Sequence, residues 1–98
     1  MTNELTLVAK LRVKDDAVEQ IKAAALAIVE PSRAEAGCIS YDVHQSVEDP
    51  TVFAWYETWT DKAAIDEHFE YDYVKNFFAI VNELAAEPPV ITLTNKLT

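Results

Sequence analysis

Eight residues, Val52–Trp59, constrain the fold of this chain more than any other stretch. They are rich in β-branched and aromatic side chains, which suit a pleated strand. Their alternation, however, does not sort them into an apolar and a polar side. Phe53, Trp55 and Trp59 fall on one face, and Val52, Ala54 and Tyr56 fall on the other. A strand of this kind has to be covered from both sides. Helices of the same chain can cover one face only. The simplest cover for the second is an identical sheet from another copy, because an isologous contact asks for a single self-complementary patch. The chain is therefore expected to form a homodimer through a sheet face.

The remaining segments take a definite order around this strand. In residues 4–13, Leu5, Leu7, Ala9, Leu11 and Val13 alternate with Thr6, Val8, Lys10 and Arg12, a period of two that predicts a strand. Asp15 or Asp16 is expected to cap a helix, with Glu19 at the capping-box distance from Asp16, and Val18, Ile21, Ala25, Ile28 and Val29 follow at helical spacing. Pro31 should kink or restart that helix, leaving a last turn over residues 32–36 and Gly37 as a left-handed cap. Cys38–Gln45 reads as a second strand and residues 46–50 as the turn of a hairpin with Val52–Trp59. Thr60 is expected to cap a helix over residues 61–69, and Asp72 another carrying Val74, Phe77, Phe78, Val81 and Leu84. Pro88 and Pro89 close it before a final strand at residues 90–94. Strand, helix, strand, strand, helix, strand is the split βαβ order. It predicts an α+β, ferredoxin-like domain with one antiparallel sheet and both helices on one face.

The 98 residues leave room for one core, so one domain, 1–98, is expected. Seventeen acidic against eight basic residues give a formal charge of −9, a field that repels phosphate backbones and anionic headgroups. Nucleic acid and membrane are accordingly not expected as partners. There is one cysteine, Cys38, so no intrachain disulfide or CxxC pair is available. With no leader-like start and no apolar run near the ~20 residues of a membrane span, a soluble cytoplasmic protein is expected. A single glycine excludes GxGxxG and P-loop patterns, and no HExxH is present. No nucleotide or metal cofactor is expected. The ligand types of His44, His68 and Glu57 would suit a metal, but nothing in their spacing demands a common site.

The stretch Gly37-Cys38-Ile39-Ser40-Tyr41, then Asp49-Pro50, Glu57-Thr58-Trp59, Ala63-Ala64 and His68-Phe69, resembles the signature of antibiotic biosynthesis monooxygenase domains. Leu7-Val8-Ala9-Lys10, Val29-Glu30-Pro31-Ser32-Arg33 and Glu87-Pro88-Pro89 fit as well, so the resemblance spans nearly the whole chain. It implies a dimeric α/β barrel, built from two ferredoxin-like protomers, with a ligand cleft between sheet and helices. The family holds cofactor-independent quinol and anthrone oxygenases, haem-degrading enzymes and isomerases of small signalling molecules. The chain departs from it in two ways. Tyr73 stands where members often carry a second histidine. Phe78 and Ala9 fall near the haem-ligand histidine and the first-strand asparagine of the haem-degrading branch, so haem degradation is not expected.

His68 is the leading candidate for a general base. It shares a helical face with Ile65 and Phe69, its reference pKa suits proton transfer near neutrality, and the resemblance places the family's recurrent histidine there. Its alternative is a core-edge histidine bonded to a backbone carbonyl. Glu57, on the strand face of Trp55 and Trp59, is costly to bury unless paired. It could orient His68 or accept a substrate proton, or it could pair with Lys10, Arg12 or Arg33. Trp59 is a candidate pocket wall or plain core. His44 is a candidate ligand contact or an exposed residue, and hairpin pairing would bring it close to Phe53. Tyr41, Tyr56 and Tyr73 each offer a hydroxyl, and Tyr73 is retained because it replaces the family's second histidine. Cys38 reads as a small buried hydrophobe.

With no cofactor motif, an oxidative reaction must draw its electrons from the substrate. A hydroquinone or anthrone does this once it loses a proton, so a base beside an apolar, aromatic pocket would suffice. The expected function is that of a cofactor-independent monooxygenase acting with O2 on a small aromatic, quinol or polyketide-like substrate. The alternatives are an isomerase or lyase of a small oxygenated metabolite and a non-catalytic dimer that binds a small ligand.

Overall fold

The computed structural model describes residues 3–98. Four strands, β1 (Leu5–Arg12), β2 (Cys38–Gln45), β3 (Val52–Trp59) and β4 (Val90–Thr94), form one antiparallel sheet in the order β2-β3-β1-β4. The helices α1 (Val18–Ala27), α2 (Val29–Arg33), α3 (Lys62–Glu70) and α4 (Asp72–Leu84) complete the expected ferredoxin-like α+β fold. Register fixes the two faces. Leu7 lies opposite Glu57, Ala9 opposite Trp55 and Leu11 opposite Phe53, while Tyr41 meets Glu57 from β2. These side chains share the inner face, and Leu7, Leu11, Phe53, Trp55 and Trp59 form the core there with Ile21, Ile65, Phe77 and Val81 from the helices. On the outer face Val8 opposes Tyr56 and Lys10 opposes Ala54. Among the described residues no helix is long and apolar enough to cross a membrane.

Helix boundaries depart from the sequence reading in instructive places. Neither Asp15 nor Asp16 caps α1. They belong to a 3-10 turn, Asp15–Ala17, and the helix starts after Ala17 without a side-chain cap. The break between α1 and α2 falls at Ile28, three residues before Pro31, so the imide sits in the first turn of α2 where a missing donor costs nothing. Asp61, not Thr60, caps α3: its carboxylate accepts from the Ala64 N–H at 2.8 Å. Asp72 is the first helical residue of α4 rather than its cap. Tyr71, extended at φ −67° and ψ 140°, breaks the two helices apart. α4 ends at Leu84, before the prolines, where the Ala85 N–H still reaches the Val81 carbonyl.

Gly37 is not a left-handed cap, for its φ is not positive. Its need for glycine is one of space. A Cβ placed there would lie 2.3 Å from Ala64 Cβ and 3.1 Å from Thr60 Oγ1, so the turn before β2 packs directly on the first turns of α3. The Thr60 N–H donates to the Gly37 carbonyl at 2.9 Å and ties the same two segments together.

Candidate functional site

Period two along β3 puts Glu57 between Trp55 and Trp59 on the inner face, and the helices then bury all three. Glu57 is 5% exposed. It pairs with none of Lys10, Arg12 or Arg33. Arg12 is engaged by Glu87, and Arg33 by Glu30 and Asp42. Instead Glu57 Oε1 accepts the indole N–H of Trp59 at 3.0 Å, from the residue two along on the same face. One neutral donor does not repay the burial of a charge. Burial therefore pushes the Glu57 carboxyl up to about 7; the Trp59 bond opposes this, and the nearby Glu35 carboxylate adds to it.

His68 projects from the face of α3 that also carries Ile65, and it is buried. Its ring lies 4.7 Å from that of Trp59 and 5.9 Å from that of Tyr41, centroid to centroid. Among the described residues the imidazole is bonded to no backbone carbonyl, nor is it met by Glu57. Its Nδ1 lies 2.7 Å from Oε2 of Glu35, and both side chains are less than 10% exposed. The Tyr73 hydroxyl donates to that same oxygen. Burial and this bond raise the Tyr73 phenol above its usual range.

A mostly apolar cleft opens between the sheet and the helices. Trp55, Phe69, Phe77 and Phe78 give it aromatic walls, and Pro89 and Ile91 border it on the β4 side. From the inner face the polar side chains His68, Glu57 and Tyr41 line it, and Lys10 of β1 also borders it. His68 Nε2 and the second oxygen of Glu57 have no hydrogen-bond partner among the described residues, yet neither is sealed from solvent, while the Tyr41 hydroxyl neighbours Ser32 and Trp55. The Tyr41 phenol is held protonated by burial and by the neighbouring Glu57. An imidazole, a carboxyl group balanced near neutrality and a phenol thus converge on a greasy slot. That set can take a proton from a bound hydroxyl or activated C–H and hold the oxygen that becomes charged.

Of the residues singled out in the sequence, His68 and Glu57 reach this cleft together, and Trp59 stands behind them, fully buried, bridging carboxyl and imidazole. Tyr73 is not among the lining residues; its hydroxyl is spent on Glu35. His44 is exposed on the outer face, in register with Ala54 rather than Phe53, so His44, His68 and Glu57 are not gathered around one point. Among the described residues no group of three or more metal-ligating side chains forms. Cys38 is half-buried, and burial with the nearby carboxylates pushes its thiol up to about 11, away from nucleophilic use. Two residues enter that the sequence reading does not retain: Tyr41, whose hydroxyl is weighed there and set aside in favour of Tyr73, and Glu35, which is not considered. Tyr41 could have been found from the hairpin register, which sets it beside Glu57. Glu35, 33 positions from His68, carries no local signal.

The model of the family described as "Antibiotic biosynthesis monooxygenase" matches residues 5–80. Among curated relatives, the Synechocystis protein sll1783 is 33% identical over 89 residues; these cover 91% of this chain but 60% of that protein, so the chain spans about three-fifths of its length. "Putative monooxygenase Rv0793" of Mycobacterium tuberculosis is 32% identical over 93 residues, covering 95% of this chain and 91% of that one. The solved structure of Rv0793 superposes with a TM-score of 0.91 at 29% identity, over 97% of this chain and 96% of that chain. PA3566 of Pseudomonas aeruginosa superposes with a TM-score of 0.92 at 33% identity, over 100% of this chain and 98% of that chain.

Proposed function

Because the chain belongs to the antibiotic biosynthesis monooxygenase family, we propose that it is a cofactor-independent monooxygenase that oxidises a small aromatic hydroquinone or anthrone with O2. The observation that carries this reading is the joint presence of His68 and Glu57, the latter balanced near pH 7, in one aromatic-walled cleft. The flat walls suit a planar, electron-rich ring. His68 takes a proton from the bound substrate. The resulting anion passes an electron to O2, and recombination forms the new carbon–oxygen bond. For an anthrone, one atom of O2 becomes the ring carbonyl, and the other leaves as water with the two methylene hydrogens. Glu57 in its protonated form and Tyr41 donate to the substrate oxygen on which negative charge builds.

The working unit in this proposal is a homodimer joined through the outer sheet face, where Val8 and Tyr56 lie opposite one another and are 39% and 53% exposed. Such apolar exposure at the centre of a sheet supports a second copy as its cover.

The test is O2 uptake by metal-free, flavin-free protein supplied with a naphthalene-type hydroquinone or an anthrone. His68→Ala should lose about 10²–10⁴-fold of the enzymic rate, the usual cost of removing a general base. Uptake that is unchanged in both His68→Ala and Glu57→Gln would overturn the assignment, as would turnover that continues without O2.

A further inference from the structure

We infer that Glu35, held by Tyr73, is the positioning residue of His68: it fixes the imidazole proton on Nδ1 and so leaves Nε2 as the bare nitrogen that faces the cleft. This deepens the oxygenase reading by assigning the tautomer and polarity of its base.

Three observations support it. The Nδ1 to Oε2 distance of 2.7 Å lies in the range of a charge-assisted bond, and both side chains are buried, so water does not compete for either. The Tyr73 hydroxyl has no acceptor role toward the same oxygen. It can only donate, and it thereby holds the carboxylate in place from the other side. Finally, Nε2 has no partner among the described residues and is not sealed off, while His68 lines the cleft. A neutral imidazole has one donor and one acceptor nitrogen, and the bond made by one decides the state of the other. An acceptor carboxylate on Nδ1 makes Nε2 the acceptor. When Nε2 takes the substrate proton the ring becomes cationic, and the adjacent Glu35 carboxylate stabilises that charge. The helical face of α3 fixes the direction of the ring, and Glu35 fixes its spin about χ2.

Nitrogen-15 NMR of the full chain, labelled in its two histidines, tests this without any turnover. In the unmodified protein His68 should show a protonated Nδ1 and a bare Nε2, read against free histidine in the same buffer as the standard of an unconstrained imidazole, with a His44→Gln variant assigning the signals. In Glu35→Leu, which offers no acceptor, His68 should move toward the pattern of free histidine. In the O2 assay that variant should lose about tenfold or more in kcat with KM little changed, less than removal of the base itself costs. A proton on Nε2 in the unmodified protein overturns the inference, even if the variant does not fold. So does a folded Glu35→Leu that keeps its proton on Nδ1. Because the tautomer is read with no substrate present, a chain that proves not to be an oxygenase leaves this result standing by itself.

Discussion

On the inner face of β3, Phe53, Trp55 and Trp59 are at most 5% exposed and a carboxyl group is buried among them; on the outer face Tyr56 is 53% exposed beside Val8. Each face carries a group that hydrophobicity alone would have assigned to the other. The inner exception, Glu57, is tolerated because one of its oxygens has the Trp59 indole and burial raises its pKa to about 7, so that it sheds its proton far less readily than an exposed carboxyl. The outer exception has no such internal explanation: Val8, Ala54 and Tyr56 are flanked by Thr6, Thr58 and Thr94, whose hydroxyls are bonded within the sheet. In the proposed function the buried acid lies at the reacting end of the cleft, and the exposed aromatic lies on the face that a second copy covers.

The contrast breaks most visibly at Trp59 and Tyr56. Trp59→Ala removes the largest fully buried side chain and the donor to Glu57, and should cost about 3–5 kcal/mol in urea unfolding. Tyr56→Ala, three positions away, should cost within about 0.5 kcal/mol in protein diluted until copies no longer meet. Equal losses at the two positions would erase the distinction between the faces.

The next effect is a pH dependence belonging to the inner face. Glu57 has its folded pKa raised from 4.5 to about 7. Below pH ~4.5 it is protonated folded or unfolded, and the folded state bears no charging penalty. As pH rises from about 4.5 to about 7 the unfolded chain ionises first, so this contribution to stability is lost across that window and is flat above it. At ~1.4 kcal/mol per unit, the loss amounts to about 3 kcal/mol. Denaturation of Glu57→Gln against the native sequence, repeated from pH 4 to pH 8, should show a difference that changes across this window; a constant difference would contradict the buried-acid description.

Two smaller effects sharpen the outer face. Light scattering at micromolar concentration should return about twice the 11.0 kDa chain mass, and Tyr56→Glu should return the single mass. A buried unpaired charge at such a contact costs about 2 kcal/mol or more, roughly thirtyfold in the dimer constant. A native chain that scatters as a monomer removes the interface. Smallest is Thr58→Val, which deletes the 3.3 Å contact between the Thr6 and Thr58 hydroxyls and should change stability by less than about 1 kcal/mol.

The strands were legible because alternation is a local property: β1, β2 and β3 could be read from residues adjacent in sequence. So was the pairing of Glu57 and Trp59 on one face, since a separation of two needs no register. Caps were less so. Thr60 and Asp61 are neighbouring residues with equal capping chemistry, and only the direction of the chain leaving β3 selects the aspartate. The same limit hid the alignment of His68. Its partner lies in the turn before β2, and Glu35 reaches it only because α3 docks against that turn, an event of tertiary packing that leaves no trace in spacing. Tyr73 was singled out for standing at a histidine's place, and its hydroxyl does lie beside the imidazole, but through a carboxylate rather than through a ligand.

The closeness of Gly37 to Ala64 sets a tolerance as well as a contact. Ala64 and His68 are one helical turn apart on the same side of α3, so whatever lifts Ala64 tilts the imidazole with it. The bare Cα of Gly37 therefore acts as the shim on which the imidazole is levelled. A single methyl added there would press on Ala64 at its Cβ, and the shift that relieves the clash would pass along the helix to the imidazole four residues away.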